Sequence, residues 1–244
     1  MTSHFFRALL CAAFLAAFSP QLRAAHSALE PAPRNEQGWK DRHASINKKA
    51  AEAGKKCELV FIGDSITQGW EGEGKKVWAD HYTKYHAVNL GIGGDRTQHV
   101  LWRLENGNLE GLSPKAAVVM IGTNNSNGED NTVEQIAGGV QAIVEKLRQK
   151  LPETKIILVA IFPRGENPNP QRGKILQVNQ IIRKLADGQN VLWADFGSKF
   201  VNEQGQISRE IMPDYLHLTS AGYEIWAKSI ERQLARILGS AESN

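Results

Sequence analysis

Ser65 stands in Phe-Ile-Gly-Asp-Ser-Ile-Thr, residues 61 to 67, just behind a short apolar run and a glycine. That places its hydroxyl at the carboxyl end of an expected strand, free to meet a ligand. A serine in this position is most often a helix cap. It becomes a nucleophile only with a base in hydrogen-bond reach and donors for the oxyanion it creates. Asp214 and His217, in Pro-Asp-Tyr-Leu-His-Leu-Thr-Ser-Ala-Gly-Tyr at 213 to 223, could supply the base and its orienting acid. A carboxylate accepting from imidazole Nδ1 fixes the tautomer and leaves Nε2 to take a serine proton. The bland reading of the same spacing is a capping Asp beside a surface His. The backbone N–H of Gly94 and the side-chain amide of Asn124 are donors that do not titrate and suit a tetrahedral oxyanion. Singly, they read as a turn glycine and an Asn that satisfies a loop carbonyl.

Short apolar runs at 58–62, 87–90, 116–121, 155–161 and 191–196 have the length and aliphatic character of buried parallel strands. Helical stretches lie between and after them at about 76–84, 95–105, 132–150, 173–187 and 219–238. Asn131 or Thr132 can cap the stretch at 132–150, with Glu134 and Gln135 in its first turn and Pro152 past its end. Residues 26–40, with Pro31, Pro33 and Gly38, read as an extended lead-in, and 41–53 as a polar helix. The alternation predicts an α/β fold with a parallel sheet. In such sheets ligands bind beyond the carboxyl ends of the strands, near a topological switch point. Gly63 to Thr67, Gly91 to Asp95, Gly122 to Asn125 and Pro163 to Gly165 fall there, and the turn at 213–217 follows the last strand after a loop.

Together, the blocks FIGDSIT, GIGGD, IGTNN and DYLHLTSAGY, in this order, resemble the SGNH (GDSL-type) hydrolase family. The run GIGGDRTQHVLWRLENGNLEGLSPKAAVVMIGTNN, with FPRGENPNP and MPDYLHLTSAGY later, is similar to the catalytic subunits of platelet-activating-factor acetylhydrolase, over roughly residues 56 to 236. The resemblance implies a flavodoxin-like three-layer α/β/α sandwich with a five-stranded parallel sheet. It also implies Ser65 as nucleophile, His217 as base, Asp214 as its partner, and the Ser65 and Gly94 N–H groups with the Asn124 amide as oxyanion hole. No metal or other cofactor is implied, and a homodimer is possible. Ile66 stands where the name motif has Leu, a volume-conserving swap. Asn125 replaces the Asp of the broader family, as it does in the acetylhydrolase subgroup. In that subgroup the positions of Ile66, Thr123 and Leu216 crowd the acyl group, and their bulk here favours acetyl over long chains.

The length of 244 residues, with 41% hydrophobic and 23% charged side chains, suits one domain with a full core. Arg7, the apolar run from Ala8 to Phe18, Pro20 and the small residues Ala24 and Ala25 read as a secretory signal peptide. The run is shorter than the roughly 20 residues needed to span a bilayer. Leu10 stands before Cys11 where a lipid-attachment motif wants Gly or Ala. The expected organisation is a signal peptide at 1–25, an N-terminal lead-in and helix at 26–55, a hydrolase domain at 56–238 and a tail at 239–244, in a secreted or periplasmic protein. Without Arg7 and Arg23 the net charge of +3 falls to +1, which leaves no basic field for nucleic acid or an anionic membrane. Loss of Cys11 leaves Cys57 as the only cysteine, so no internal disulfide can form.

An exported acetylesterase without a lipid anchor points to carbohydrate-linked acetyl groups as substrate. The alternatives are a short-chain lipid esterase, lysophospholipase or platelet-activating-factor acetylhydrolase-like activity and, from another class, a catalytically silent glycan-binding module on this fold. Other motifs are decoys. Gly69 to Lys76 nearly matches a phosphate-binding loop, but Lys76 replaces the Mg²⁺-binding Ser or Thr, and Glu71 and Glu73 would repel phosphate. Arg96 occupies the third glycine position of a dinucleotide fingerprint. His81, His86 and His99 lack metal-ligand spacing. Asn124-Asn125-Ser126 is formally a glycosylation sequon, but glycosylation would destroy the oxyanion donor expected at Asn124. Trp70, Trp78, Trp102 and Trp193 read as packing residues, with Trp70 alternatively lining the cleft.

Overall fold

The computed structural model describes residues 26–239, so the expected signal peptide and nearly all of the expected tail lie outside the described residues. Five strands, β1 (Leu59–Gly63), β2 (Val88–Gly91), β3 (Ala116–Met120), β4 (Lys155–Val159) and β5 (Val191–Ala194), form one all-parallel sheet in the order β2-β1-β3-β4-β5. From β1 the chain goes outward to β2, then crosses back to build β3, β4 and β5 on the other side. The carboxyl ends of β1 and β3 therefore flank the switch point of this flavodoxin-like order.

The helices are α1 (Gln37–Ala53), α2 (Ser65–Gln68), α3 (Lys75–His81), α4 (Thr97–Glu105), α5 (Val133–Lys150), α6 (Pro170–Ile182) and α7 (Ser220–Leu238). Side chains alternate across a strand, and the sheet uses both faces. Val60, Ile62, Ala117, Val119, Ile156 and Leu158 face a core completed by α1, α4, α5 and α6. Leu59, Phe61, Ala116, Val118, Met120, Ile157 and Val159 face a second core closed by α3 and α7. Both faces are covered, so β1 and β3 are buried at every residue, which is why they read as unbroken apolar runs rather than alternating ones.

Thr132, not Asn131, caps α5: its hydroxyl accepts from Gln135 N–H at 3.3 Å and Gln135 Oε1 accepts from Thr132 N–H at 3.1 Å. Asn131 instead bridges toward Asn125 and Ser27. Helix α6 begins at Pro170, three residues before the expected start, because the Asn169 side chain caps Arg172 N–H at 2.9 Å and Pro is well suited to a first helical turn. Helix α1 begins at Gln37 rather than at residue 41, and its buried Trp39 joins the same core as β1. The lead-in is fastened too: Thr97 Oγ1 donates to Ala28 O at 2.8 Å and Ala32 N–H to Gln98 O at 3.2 Å. Residues 26–56 are thus packed onto the domain.

Trp70 does not line the cleft. It is fully buried, with ring centroids 4.5 Å from Tyr223, 5.3 Å from Trp226 and 5.7 Å from Phe61. Cys57 is buried and free, and burial pushes its thiol up to about 11. Among the described residues no helix is long and apolar enough to cross a membrane.

Candidate active site

Strand β1 ends at Gly63, where an added Cβ would collide with the Met120 carbonyl and the Thr67 side chain, so only glycine lets β1 and β3 lie this close. Asp64 then turns the chain directly into α2, its Oδ1 accepting Ile66 N–H at 3.0 Å. Ser65 becomes the first residue of that helical turn and stays half-buried at the sheet's carboxyl edge.

Ser65 Oγ lies 2.9 Å from His217 Nε2, and His217 Nδ1 lies 2.6 Å from Asp214 Oδ2. The other Asp214 oxygen accepts the backbone N–H groups of His217 at 2.7 Å and Leu216 at 3.1 Å, so one carboxylate both folds the turn and orients the ring. Partial burial raises the Asp214 carboxyl, but its bonds from His217 and from the backbone outweigh this and hold it below its ordinary value. It is therefore ionised and acceptor-only. The turn needs Tyr215 in the left-handed region at φ 60°, a conformation unfavourable for a bulky residue. Tyr215 is held there by Tyr215 N–H to Met212 O at 2.9 Å, Gly165 N–H to Tyr215 O at 2.8 Å, and Arg209 Nε to its hydroxyl at 2.9 Å. No local sequence cue marks this residue.

The glycine loop after β2 abuts Ser65: a Cβ on Gly93 would lie 3.8 Å from Ser65 Cβ. Gly93 N–H donates to Gln68 Oε1 at 2.7 Å, and Gly94 adopts φ 76°, open to glycine without cost. Asn124 follows β3 in a short 3₁₀ turn, and its amide donates to Asp95 O at 2.9 Å. A carboxamide carries two N–H donors, so this bond aligns the group with the glycine loop and leaves a second donor. Ser65 and Asn124 are half-buried and Gly94 is exposed, which leaves the neighbourhood accessible to an ester.

Beneath the loops lies a buried ion pair that the motifs did not reveal. Arg103 Nε meets Asp95 Oδ2 at 2.7 Å, both side chains fully buried, and Trp39 Nε1 donates to Asp95 Oδ1 at 2.7 Å. Arg103 also donates to Leu90 O at 2.9 Å, Gly63 O at 3.2 Å and the Asn108 side chain. One guanidinium thereby ties the end of β1 to the end of β2 and, through Asp95, to the loop that holds Asn124. Its one sequence signal is a charged residue set among Val100, Leu101 and Leu104 in α4. Asp64 is the opposite case: burial pushes its carboxyl up to about 7, and Oδ2 has no hydrogen-bond partner.

Of the residues expected to crowd the acyl group, Ile66 and Thr123 are buried and Leu216 is half-buried. Ile66 belongs to the apolar core under the site. Arg164, just after β4, reaches Thr123 O and Oγ1, each at 3.3 Å, and Asn127 Oδ1 at 3.0 Å. Glu71, in the decoy phosphate loop, is taken up by Arg42 at 2.6 Å and Lys49 at 3.1 Å. His99 Nδ1 accepts Arg96 N–H at 3.0 Å, and burial pushes the ring down to about 4, keeping it a neutral cap for α4. Among the described residues no three His, Cys, Asp or Glu side chains are grouped to hold a metal.

Residues 61–225 match the GDSL-like Lipase/Acylhydrolase family. The human platelet-activating factor acetylhydrolase IB subunit alpha1 is 40% identical over 214 residues, covering 86% of this chain and 90% of that protein. A GDSL-like lipase from Bacteroides thetaiotaomicron superposes with a TM-score of 0.66 at 22% identity, over 80% of this chain and 97% of that one. The acetyl xylan esterase AlAXEase superposes with a TM-score of 0.62 at 27% identity, over 72% of this chain and 98% of that one. With a family match over most of its length and a relative at 40% identity, and with the four sequence blocks gathered at the carboxyl edge of the parallel sheet, the chain belongs to the GDSL-like lipase/acylhydrolase family and is an ester hydrolase.

Proposed function

We propose that this protein is an exported serine esterase that removes small acyl groups, chiefly acetyl, from carbohydrates. The observation that carries the catalytic part is the unbroken hydrogen-bond chain from Ser65 Oγ through His217 to Asp214, at 2.9 and 2.6 Å. Ser65 Oγ attacks the ester carbonyl carbon while His217 Nε2 takes its proton, and the Asp214 carboxylate stabilises the imidazolium. The oxyanion is met by the Ser65 and Gly94 N–H groups and the Asn124 amide. Collapse breaks the ester C–O bond, and His217 returns the proton to the leaving alcohol. Water, deprotonated by the same imidazole, then attacks the acyl-enzyme and releases the carboxylic acid and free Ser65.

Leu216, half-buried beside the Asp214–His217 turn, limits the acyl group to short chains, with the buried Ile66 and Thr123 supporting the site from beneath. Likeness to an acetyl xylan esterase supports carbohydrate as the alcohol. A signal-like segment at 1–25 supports action outside the cytoplasm. The second reading, an acetylated lipid as substrate, is favoured by the 40% identity to a platelet-activating factor acetylhydrolase subunit. That kinship also favours a homodimer, which elution volume against mass standards tests.

Hydrolysis of p-nitrophenyl acetate, butyrate and octanoate by the wild type and Ser65→Ala is the deciding experiment. A rate with Ser65→Ala equal to wild type sinks the enzyme mechanism and revives a silent glycan-binding module. Preference for octanoate sinks the small acyl pocket. Acetylated xylan and an acetyl-phospholipid, assayed side by side, separate the two leaving groups.

A further inference from the structure

The segment ahead of α1, outside residues 61–225 that match the family, lays Arg34 on the glycine loop. Arg34 Nη1 donates to Gly93 O at 2.7 Å and lies 4.0 Å from the buried Asp95 Oδ1. Its Nη2 is held by Glu36 Oε1 at 2.8 Å. A Cβ built on Gly94 would stand 2.7 Å from Arg34 Nη1, so the guanidinium covers the place where any other residue would carry its side chain.

The Gly93 carbonyl and the Gly94 N–H are the two ends of one planar peptide unit. A charge-assisted bond to the carbonyl oxygen draws electron density from the amide nitrogen and makes its N–H a stronger donor. It also fixes the plane. Two glycines flank this peptide, and with Gly94 at φ 76° the unit has little steric resistance to rotating its N–H away. Gln68 anchors the preceding peptide through Gly93 N–H at 2.7 Å, but no bond from Gln68 constrains the Gly93 carbonyl.

We propose that Arg34 is a positioning residue for the oxyanion hole: it orients and polarises the Gly93–Gly94 peptide so that Gly94 N–H donates to the developing oxyanion. The lead-in is thereby part of the catalytic apparatus. This rests on the reading of Gly94 as an oxyanion donor given above. Arg34 acts through the peptide and not on the substrate, so its loss weakens the transition state more than the bound ester.

The test compares the wild type, Arg34→Ala, Arg34→Lys, Glu36→Gln and Ser65→Ala with p-nitrophenyl acetate, recording kcat, KM and Tm, and measures inhibition by an aryl trifluoromethyl ketone, whose hemiketal carries an oxyanion. Arg34→Ala is expected to lower kcat on the order of 10- to 100-fold, somewhat less than deletion of a donor itself. KM should stay within about twofold, and inhibitor affinity should fall by the same factor as kcat/KM. Arg34→Lys should recover part of the loss, as should added guanidinium with Arg34→Ala, while Glu36→Gln, which loosens the hold on the guanidinium, should give a smaller loss of the same kind. Unchanged kcat in Arg34→Ala, or a loss that tracks Tm and is not rescued by guanidinium, overturns the proposal with Ser65→Ala still inactive. If Ser65→Ala keeps wild-type activity, the esterase mechanism fails first and this inference with it.

Discussion

His217 Nε2 lies 2.9 Å from Ser65 Oγ although 152 positions separate them in the chain. The contact joins the end of the first strand to a turn that follows the last one, with the whole sheet built in between. Its consequence is that the two side chains are brought together by the core and not by local sequence, so either can be altered chemically without unfolding what positions it.

Ser65→Ala and His217→Ala are therefore expected to lower kcat on the order of 10⁶-fold, and Asp214→Asn by roughly 10⁴-fold. Tm should move little, because all three side chains are half-buried or exposed. Steady-state kinetics with p-nitrophenyl acetate, alongside thermal unfolding, checks this; near wild-type turnover by either of the first two variants contradicts the assigned roles.

Asn124→Ala removes a donor but also the bond to Asp95 O. A loss of about 10² to 10³ in kcat is expected, with substrate affinity largely kept. A variant that instead raised KM with kcat intact would make Asn124 a binding residue only.

Asp95→Asn should be more damaging to the fold than to binding. It leaves the fully buried Arg103 guanidinium without its counter-charge, a loss of about 3–5 kcal/mol. For a domain of this size that lowers Tm by roughly 10 °C. Activity at permissive temperature should fall as well, since the pair anchors the glycine and asparagine loops. Urea unfolding measures the first effect, and a wild-type midpoint would show that the ion pair contributes nothing.

Asp64 makes stability depend on pH. Its carboxyl ionises near 7 in the folded protein against an ordinary value of 3.8, so the native state holds the proton more tightly than the unfolded chain. The stability this contributes is complete below about pH 4 and is lost as pH rises through 7. Asp64→Asn keeps an oxygen to cap Ile66 N–H and removes the titration. The stability of the wild type relative to Asp64→Asn should fall by a few kcal/mol between pH 4 and 8; a difference constant across that range would falsify the assignment.

Much of this arrangement was legible before any coordinates. Five apolar runs became five strands because the sheet is covered on both faces: β1 and β3 are buried at every residue and so carry no polar position to obscure them, while the edge strand β5 is half-buried at Leu192 and Trp193 yet stays apolar. The four blocks stood out in the sequence because the chemistry proposed for them restricts residue type: a nucleophile, a base with its acid and oxyanion donors admit few substitutes. Trp70 was ambiguous because an aromatic suits a core and a cleft equally, and its burial among Phe61, Tyr223 and Trp226 depends on α7 arriving from far along the chain. The start of α1 was misplaced because residues 37–40 are helical through the anchoring of Trp39 on Asp95, a contact between distant segments.

The sequence by itself determined the α/β class, the parallel order of elements, the family and the residue types at the carboxyl edge, since periodicity and motif chemistry are written locally. Only the tertiary structure decided that His217 meets Ser65, that Arg103 and Asp95 tie three loops together, that Tyr215 is held at positive φ, and that Arg34 reaches the glycine loop. Each of these is a contact between segments whose approach is set by how the helices cover the sheet, and no local pattern of residues encodes that distance.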